Sequence, residues 1–497
     1  MSLFLLFFVV VMTASGLTYE LLTASLVTSL VGDSVLAFST IIGTYLFSLG
    51  CGAYVSRLIK GRFYMVLVQT GLAVGLLGGF STTLLWVLFS WGSGFFVGVY
   101  LLLFSIGSLV GLQLPLIMRA LKERLPFKEL VSGVLGLDYA GAMLVSVAFP
   151  LFLVPQLGLI HTAFCFGILN VLATLGFVFL YDHEGRWNFL KVEGFTALAL
   201  LAVGVFASNP LAEITEQNLF PDPIIYARSS SYQRIVVTAS TTDTRLYLNN
   251  NLQFSSLDEY RYHEALVLPP LRCVKEPKSV LVLGGGDGLA CKLLLQDPRI
   301  EKITLVDLDP AVTALFRTNP ILSQLNKDSL SSPRVEVINK DAFVWIENTE
   351  KKFDLVLVDF PDPSSYSVGK LYTTYFYRLL RPKLNPGGAI SVQSSSPLRA
   401  PRSYSCILAT LEASGFKVRP YHCFVPSFGE WGFSLGTLDE VEEFYPSNLE
   451  TRFVTDEVLP TLFVFSPDMK PARSEPNTLF DQRLVRYFRQ DWDSATL

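Results

Sequence analysis

Five aspartates stand just past short apolar runs in the second half of this 497-residue chain. The runs at 279–283, 303–306, 334–338 and 354–358 read as buried strands of a parallel sheet, rich in β-branched residues. Asp287, Asp307, Asp341, Asp359 and Asp362 follow them closely. Open α/β sheets bind ligands at the carboxyl ends of their strands, so these acids are expected to converge on one rim. Singly, each has an ordinary reading as a turn former. Together they are too many carboxylates for an anion site and suit a metal or a cationic ligand. A Mg²⁺ site usually also carries a phosphate-bearing ligand, and no phosphate loop is present. A cationic amine is therefore the better account, with no metal.

The elements that must position these acids begin with the first strand, which runs into Gly284-Gly285-Gly286-Asp287-Gly288 and a helix-compatible stretch over 289–296. Glycines at that turn let the backbone approach a ligand, and the helix start offers unpaired N–H groups. The turn lacks the Lys-Ser/Thr of a P-loop, and Asp287 sits where a pyrophosphate would lie. Such a turn suits a sulfonium or an amine; the alternative is an ordinary turn whose aspartate caps a helix. Asp307-Leu308-Asp309 ends the second strand about twenty residues further on, where a carboxylate can accept hydrogen bonds from both ribose hydroxyls of a nucleoside. This order predicts a nucleoside-binding α/β unit.

The chain is 51% hydrophobic with a mean hydropathy of +0.42, too apolar for a wholly soluble protein of this length. The apolarity is concentrated before about residue 207. Segments 3–25, 36–56, 64–89, 95–118, 131–153 and 162–180 are long enough to cross about 30 Å of hydrocarbon. The first continues too directly into further spans to be a cleaved signal peptide. Gly71-x-x-x-Gly75 and Gly107-x-x-x-Gly111 have the spacing that lets helices pack closely. Arg57, Lys60 and Arg62, then Arg119, Lys122, Arg124 and Lys128, then Arg186 and Lys191 follow alternate spans, which places those loops and the N-terminus inside. Segment 194–207, at roughly fourteen apolar residues, is short for a span. It is expected to lie at the interface or re-enter, leaving the second half cytoplasmic. Glu20 and Asp138 fall inside spans, where each is either part of a polar pathway for a cation or an interhelical hydrogen bond that fixes packing.

A net charge of −4 and a pI near 5.7 give no sign of nucleic-acid binding. The six cysteines are scattered, without a CxxC pair, and are expected to be reduced. The expected organisation is a helical membrane domain over 1–208, a linker over 209–228, and a small antiparallel β unit over 229–270. A Rossmann-like domain over 271–440 and a tail over 441–497 follow. The polar run Asp258-Glu259-Tyr260-Arg261-Tyr262-His263-Glu264 opens a helix on which Tyr262 and His263 point in different directions.

These residues resemble the spermidine synthase (polyamine aminopropyltransferase) family. The resemblance rests on Tyr232-Gln233, Leu246-x-Leu248-x-x-x-x-Gln253, Asp258-Glu259 with Tyr262-His263-Glu264, and the GGGDG turn. It continues through Asp307-x-Asp309, Asp341-Ala342, Asp359-x-x-Asp362-Pro363 and Gln393. It covers about residues 230 to 436. The apolar first half and the tail segments 452–455, 458–460 and 477–479 resemble the membrane-fused branch of that family. The resemblance implies a Rossmann-like sheet of the methyltransferase type preceded by a β unit. It implies transfer of the aminopropyl group of decarboxylated S-adenosylmethionine to putrescine or a similar amine, giving spermidine and methylthioadenosine. By motif, Asp307 would hold the ribose hydroxyls, and Asp341 with Ala342 the adenine. Gln233 and Gln253 would help seat the sulfonium, and Asp287 its aminopropyl nitrogen. Tyr262, His263, Asp362 and Gln393 would line the diamine channel, and Asp359 would accept the proton. No cofactor is implied beyond the cosubstrate, whose usual source also favours a cytoplasmic catalytic half, and soluble members are homodimers or larger.

Two segments depart from the family pattern. Ser364-Ser365-Tyr366-Ser367-Val368-Gly369-Lys370-Leu371-Tyr372 replaces the usual Gly-Pro-Ala and Leu-Phe after the Asp-Pro, in the stretch that gates the site. Pro426-Ser427-Phe428 replaces a turn bearing a Tyr whose hydroxyl meets the amine. The other readings are a methyltransferase using intact S-adenosylmethionine on the same scaffold, and a membrane polyamine sensor or transporter whose enzyme-like half only binds ligand. Asp287 opposes the first, since it would face a carboxylate; the intact Asp359 and Asp362 oppose the second.

Overall fold

The computed structural model describes residues 2–31, 35–59, 61, 63–92, 94–122, 126–181, 188–440, 444–447 and 449–495. The chain divides into two units, Met1–Pro223 and Ile224–Leu497.

The first unit is a bundle of α1 (Ser2–Val31), α2 (Val35–Val55), α3 (Phe63–Ser90), α4 (Phe95–Lys122), α5 (Phe127–Ala148), α6 (Val154–Tyr181) and α7 (Asn188–Gln217). Among the described residues its helices form six stretches long and apolar enough to cross a bilayer, with Lys128–Tyr181 counted as one. That stretch is a hairpin. Its middle holds Pro150 and Pro155, a π-helical turn at Phe149–Leu153, and Gly158 at φ 73°. A proline has no N–H to continue a helix, and glycine adopts the left-handed conformation without a Cβ penalty. A Cβ on Gly141 of α5 would lie 3.2 Å from the Val10 carbonyl, while Phe177 of α6 stacks 5.6 Å from Phe8, so both arms lie along α1.

Both glycine pairs singled out by spacing sit at helix contacts. A Cβ on Gly111 of α4 would fall 2.1 Å from the Leu49 carbonyl of α2, and one on Gly107 would fall 1.9 Å from Ser48 Oγ. Gly71 and Gly75 of α3 meet Thr174 and Val171 of α6 in the same way. Such close backbone approach increases the dispersion contacts between the paired helices.

The expectation for residues 194–207 is corrected. They belong to a helix of 30 residues, and its apolar stretch, Asn188–Ser208, is 21 residues long. It runs antiparallel to α6 along the bundle, with Gly194 against Leu175 and Gly204 against Phe164. Counting from the sequence stopped at Lys191 and Glu193, but a lysine near a helix end can bend back to the interface. Lys191 Nζ lies 5.3 Å from the Phe179 ring. The cationic residues Arg57, Arg119, Lys122, Lys128 and Lys191 sit at helix ends; Lys60, Arg62, Arg124 and Arg186 lie outside the described residues. The ring of Tyr64 at the start of α3 lies 5.7 Å from that of Tyr181 at the end of α6, and Arg119 donates to the Ile59 carbonyl at 2.8 Å. These ends therefore gather at the N-terminal end of α1, and α7 carries the chain to the opposite end. Asp138 accepts a 2.5 Å hydrogen bond from Thr13, an interhelical bond between α5 and α1.

The second unit opens with an antiparallel sheet in the order β1 (Ile224–Ser229), β2 (Arg234–Ala239), β3 (Thr244–Leu248), β4 (Asn251–Ser255). Of the expected linker 209–228, only the stretch between Gln217 and Ile224 is neither helix nor strand. Pro210 removes one helical hydrogen bond without ending α7, and β1 is an edge strand whose mixed composition carries no alternation. After α8 (Glu259–Leu271) comes a seven-stranded sheet built from β5 (Ser279–Gly284), α9 (Leu289–Leu294), β6 (Lys302–Asp307), α10 (Pro310–Thr318), α11 (Pro320–Leu325), β7 (Val335–Asn339), α12 (Ala342–Asn348) and β8 (Phe353–Asp359). It is completed by α13 (Tyr366–Gly369), α14 (Thr374–Leu380), β9 (Leu384–Gln393), α15 (Pro401–Ala413), β10 (Lys417–Val425) and β11 (Gly429–Thr437), and α16 (Arg483–Ala495) closes the chain. The strand order is β10-β11-β9-β8-β5-β6-β7, parallel from β5 to β9 with an antiparallel β10–β11 end. This is the expected Rossmann-like, methyltransferase-type sheet. Strand order reverses between β5 and β8, and a crevice opens at the carboxyl ends there.

Gly111→Leu is expected to overpack the α2–α4 contact and destabilise the first unit by about 1–3 kcal/mol. Thermal unfolding of the detergent-solubilised protein would show a lowered midpoint; an unchanged midpoint would mean the two helices do not meet here.

Candidate active site

The crevice is set by strand register. β5 and β8 pair with Gly284 opposite Asp359, and a Cβ on Gly284 (φ 83°) would lie 2.2 Å from the Asp359 carbonyl. One strand on, Asp307 Oδ2 accepts from the Gly286 amide at 3.0 Å, and Oδ1 from the Asp309 amide at 2.8 Å. A Cβ on Gly286 would sit 2.7 Å from that carboxylate. Burial pushes the Asp307 carboxyl up to about 6, against these two donors. Asp287 accepts from the Leu289 amide at 2.8 Å from one residue ahead of the α9 N-cap, which is Gly288, and it also lies in the field of His263. Burial raises it while His263 opposes that shift.

α8 supplies the opposite wall. Tyr262 donates to Asp359 Oδ1 at 2.5 Å, and its ring meets Phe433 and Phe428 at centroid distances of 5.3 and 6.2 Å. His263, 2% exposed, turns the other way, with Nδ1 2.8 Å from the Glu259 carbonyl and 2.9 Å from its carboxylate. Burial disfavours charge on this ring, but Glu259, Asp287 and Asp359 outweigh it and push His263 up to about 9. Glu259 is in turn held at about 2: burial opposes its charge, but His263 and Lys292, 2.6 Å away, prevail. Burial lifts both Asp359 and Asp362 to about 6.

Gln393, 2% exposed, spends its amide on bracing. Its Nε2 donates to the Phe360 carbonyl at 2.7 Å and to Tyr372 Oη at 3.0 Å, with Asp362 Oδ1 at 3.4 Å, while Oε1 accepts from the Ser395 amide at 3.0 Å. Gln233 reaches the rim through Asp309, donating to its Oδ2 at 3.1 Å beside a 2.6 Å bond from Ser230. Gln253 does not join the carboxylates among the described residues; its Nε2 donates to the Asn251 carbonyl at 3.1 Å. Asp341 caps α12 through the Phe343 amide at 2.8 Å and pairs with Lys370 Nζ at 2.6 Å; Ala342 is buried at the start of that helix.

The structure thus brings Asp359 to Tyr262, Asp362 to Gln393, Asp307 to the glycine turn and Gln233 to Asp309. Reading the residues one by one missed how much of the site is held by its own neighbours. Glu259 and His263 have the i,i+4 spacing of a helical pair, which was available as a signal. Lys292 carried none, and Lys370 and Asn477 lie in segments the sequence singled out, 364–372 and 477–479, without any sign of what they would bind. Asn477, fully buried, donates to the Gly369 and Tyr372 carbonyls at 3.2 and 2.9 Å, so the tail clasps the segment that departs from the family pattern. Glu264 accepts three amides, from Arg452, Phe453 and Val454, at 2.8, 2.8 and 2.9 Å.

The family model of the spermine/spermidine synthase domain matches residues 259–444. A polyamine aminopropyltransferase of Leptospira interrogans is 45% identical over 488 residues, covering 98% of each chain. Polyamine aminopropyltransferase 2 of Ralstonia nicotianae is 47% identical over 499 residues, covering 97% of each. A polyamine aminopropyltransferase of Mycobacterium tuberculosis is 38% identical over 501 residues, 97% of this chain and 94% of that one. Among solved structures, a spermidine synthase in complex with the transition-state analogue AdoDATO matches at 24% identity and a TM-score of 0.46, covering 49% of this chain and 85% of that one.

A carboxyl raised to about 6 from 3.8 binds more protons folded than unfolded, so stability falls as pH rises through that window and the cost persists above it. Asp359→Asn should therefore be more stable than the parent at pH 8, by on the order of 1–2 kcal/mol, with the difference vanishing near pH 4. Denaturant midpoints at the two pH values test this; a destabilised variant at pH 8 would overturn it.

Proposed function

The chain belongs to the spermine/spermidine synthase family, and on that premise we propose that it transfers the aminopropyl group of decarboxylated S-adenosylmethionine to putrescine or a similar amine. The observation that carries the reading is the meeting of Tyr262 with Asp359 at the sheet's switch point, among Asp287 and Asp362. An alkylammonium, with a pKa near 10.4, attacks only after losing a proton. Asp359 is ionised at neutral pH, is oriented by the Tyr262 hydroxyl, and can accept that proton. Asp362, steadied by Gln393, holds the far ammonium, with Tyr262 and His263 forming the channel wall. Asp307 takes the ribose hydroxyls, and Asp287 the aminopropyl nitrogen. Gln233, through Asp309, and Gln253 shape the seat of the sulfonium. The sulfonium is already an activated leaving group, so the remaining work is alignment for in-line attack. The C–S bond breaks as the C–N bond forms, and methylthioadenosine departs. The cosubstrate is the one further molecule the reaction calls for; no metal enters it.

Asp341, with Ala342, is assigned the adenine. The Asp341–Lys370 pair must then loosen to free a carboxylate oxygen, a step supplied by the divergent segment itself. Phe428 stands 6.2 Å from Tyr262 where the family places a hydroxyl, which favours an acceptor that needs one fewer polar contact. A homodimer or larger assembly is part of the proposal. So is insertion of the first unit in the cell membrane, its apolar helices meeting lipid. The catalytic unit was expected on the cytoplasmic side, where the cosubstrate is found. Seven crossings with cationic loops inside would instead put it outside. A reporter fused after Leu497 distinguishes the two, fluorescence marking the inside and alkaline phosphatase activity the outside.

The experiment on function is a product assay with the protein in detergent, offering decarboxylated or intact S-adenosylmethionine with putrescine, cadaverine, agmatine or spermidine. Methylthioadenosine and an aminopropylated amine are expected, with turnover reduced about 10²–10⁴-fold in Asp359→Asn. The acid limb of kcat/KM should fall as pH drops through about 6, as Asp359 becomes protonated. Turnover only with the intact cosubstrate would replace this reading with a methyltransferase.

A further inference from the structure

Ser394, Ser395 and Ser396 follow Gln393 at the carboxyl end of β9. The first and last have settled partners. Ser394 Oγ donates to the Val392 carbonyl at 2.8 Å and meets Ser434 Oγ at 2.7 Å, and Ser396 Oγ accepts from the Arg399 amide at 3.1 Å. Ser395 is fully buried, yet its hydroxyl has no hydrogen-bond partner among the described residues. Burying a hydroxyl unbonded costs free energy, so the group calls for a reason.

The backbone supplies a second, independent observation. Ser395 sits at φ 65°, in the left-handed region that a Cβ disfavours. Of the described non-glycine residues at positive φ, it alone is buried. Its surroundings hold it there. The Ser395 amide donates to Gln393 Oε1 at 3.0 Å, and its carbonyl accepts from the Gly432 amide at 2.7 Å. A Cβ on Gly432 would lie 2.8 Å from that carbonyl, so the backbone behind the serine is closely packed. Strain that several bonds keep in place clusters where ligands are gripped. What it serves here is Asp362. The Gln393 carboxamide that fixes the Ser395 amide also brings Nε2 to 3.4 Å from Asp362 Oδ1. Burial pushes the Asp362 carboxyl up to about 6, and Gln393 and Ser395 act against that shift. The serine hydroxyl therefore faces this carboxyl without closing a bond to it.

We propose that Ser395 is a specificity-determining residue of the acceptor site, its hydroxyl accepting one N–H of the ammonium whose charge Asp362 balances. The acceptor's identity rests on the function proposed above; the contact adds a neutral partner to its charged one. A primary ammonium offers N–H donors in several directions and no acceptor, whereas a hydroxyl accepts and donates at once. One N–H goes to Asp362 and a second to Ser395 Oγ, and the serine's own proton turns to the carboxylate. Bound amine thus completes the group that the fold leaves unbonded. N-alkylation at this end removes donors and adds bulk, so the contact selects a terminal primary amine. The far ammonium takes no part in bond making. Its contacts are alike in ground and transition states, and they set affinity for the acceptor rather than the rate of the chemical step.

The test compares the full chain in detergent with its Ser395→Ala and Ser395→Gly variants. Each is measured by aminopropyl-transfer kinetics, by equilibrium binding of radiolabelled putrescine and by thermal unfolding. A hydrogen bond to a charged group is worth about tenfold in affinity, so KM and Kd for putrescine should rise about tenfold in both variants. Removal of a contact made equally in ground and transition states leaves kcat unchanged, so kcat and the KM for decarboxylated S-adenosylmethionine should stay within about twofold. Tm should hold in Ser395→Ala and rise in Ser395→Gly, because glycine adopts φ 65° without a Cβ penalty and neither variant buries an unbonded hydroxyl. Weaker amine binding in a more stable protein is a result that a merely structural serine does not give. Putrescine binding unchanged in both variants would overturn the proposal. So would a lowered Tm with affinity lost for both substrates, the mark of a structural serine. A parent that binds putrescine and forms no methylthioadenosine would count against the function proposed above, and Ser395 would then stand or fall on the binding measurement alone.

Discussion

The second unit depends on one close approach, that of the Gly284 backbone to the Asp359 carbonyl across the β5–β8 register. Any side chain at 284 would have to occupy the position of that carbonyl. Because the two strands stay paired to their last residues, the glycine turn and the acidic loop leave the sheet side by side. Asp287, Asp307, Asp359 and Asp362 then share one crevice although 75 residues of sequence separate the first from the last. Burial there lifts Asp307, Asp359 and Asp362 toward 6, a cost in folding free energy accepted where chemistry needs unpaired carboxylates.

Around that crevice the structure spends its polar groups on rigidity. Gln393 holds the Phe360 carbonyl and Tyr372, Glu264 gathers three tail amides, Asn477 clasps the Gly369 and Tyr372 carbonyls, and Asp258 accepts from Ser427 at the divergent turn. The Glu259–His263–Lys292 group keeps positive charge behind the acids without neutralising them by direct contact. Preorganisation of this kind matters most in a reaction whose leaving group is already activated, because alignment is then the main contribution left to the protein.

The bundle obeys different physics. Glycines at positions 107 and 111, and at 71 and 75, bring helices close together, and some buried polar groups, the Tyr19 hydroxyl and the Gln113 carboxamide among them, have no hydrogen-bond partner. Asp138 has a packing role, the bond to Thr13 that joins α5 to α1.

The periodicity of the sequence was enough to determine the parallel strands, the glycine turn, the strand-end acids and the apolar first half. Each is a local pattern: β-branched runs, residues permissive of φ above zero, and stretches longer than a bilayer is thick. The family and its chemistry were legible from the combination of those motifs. What only the tertiary structure decided lies in the partners. Gln393 braces a loop, Gln253 stays on its own strand, Lys370 occupies Asp341, and residues 194–207 extend into a full helix against α6. A side chain's hydrogen-bond partner or a helix's true end depends on groups far away in the chain, and no local pattern encodes the distance between them.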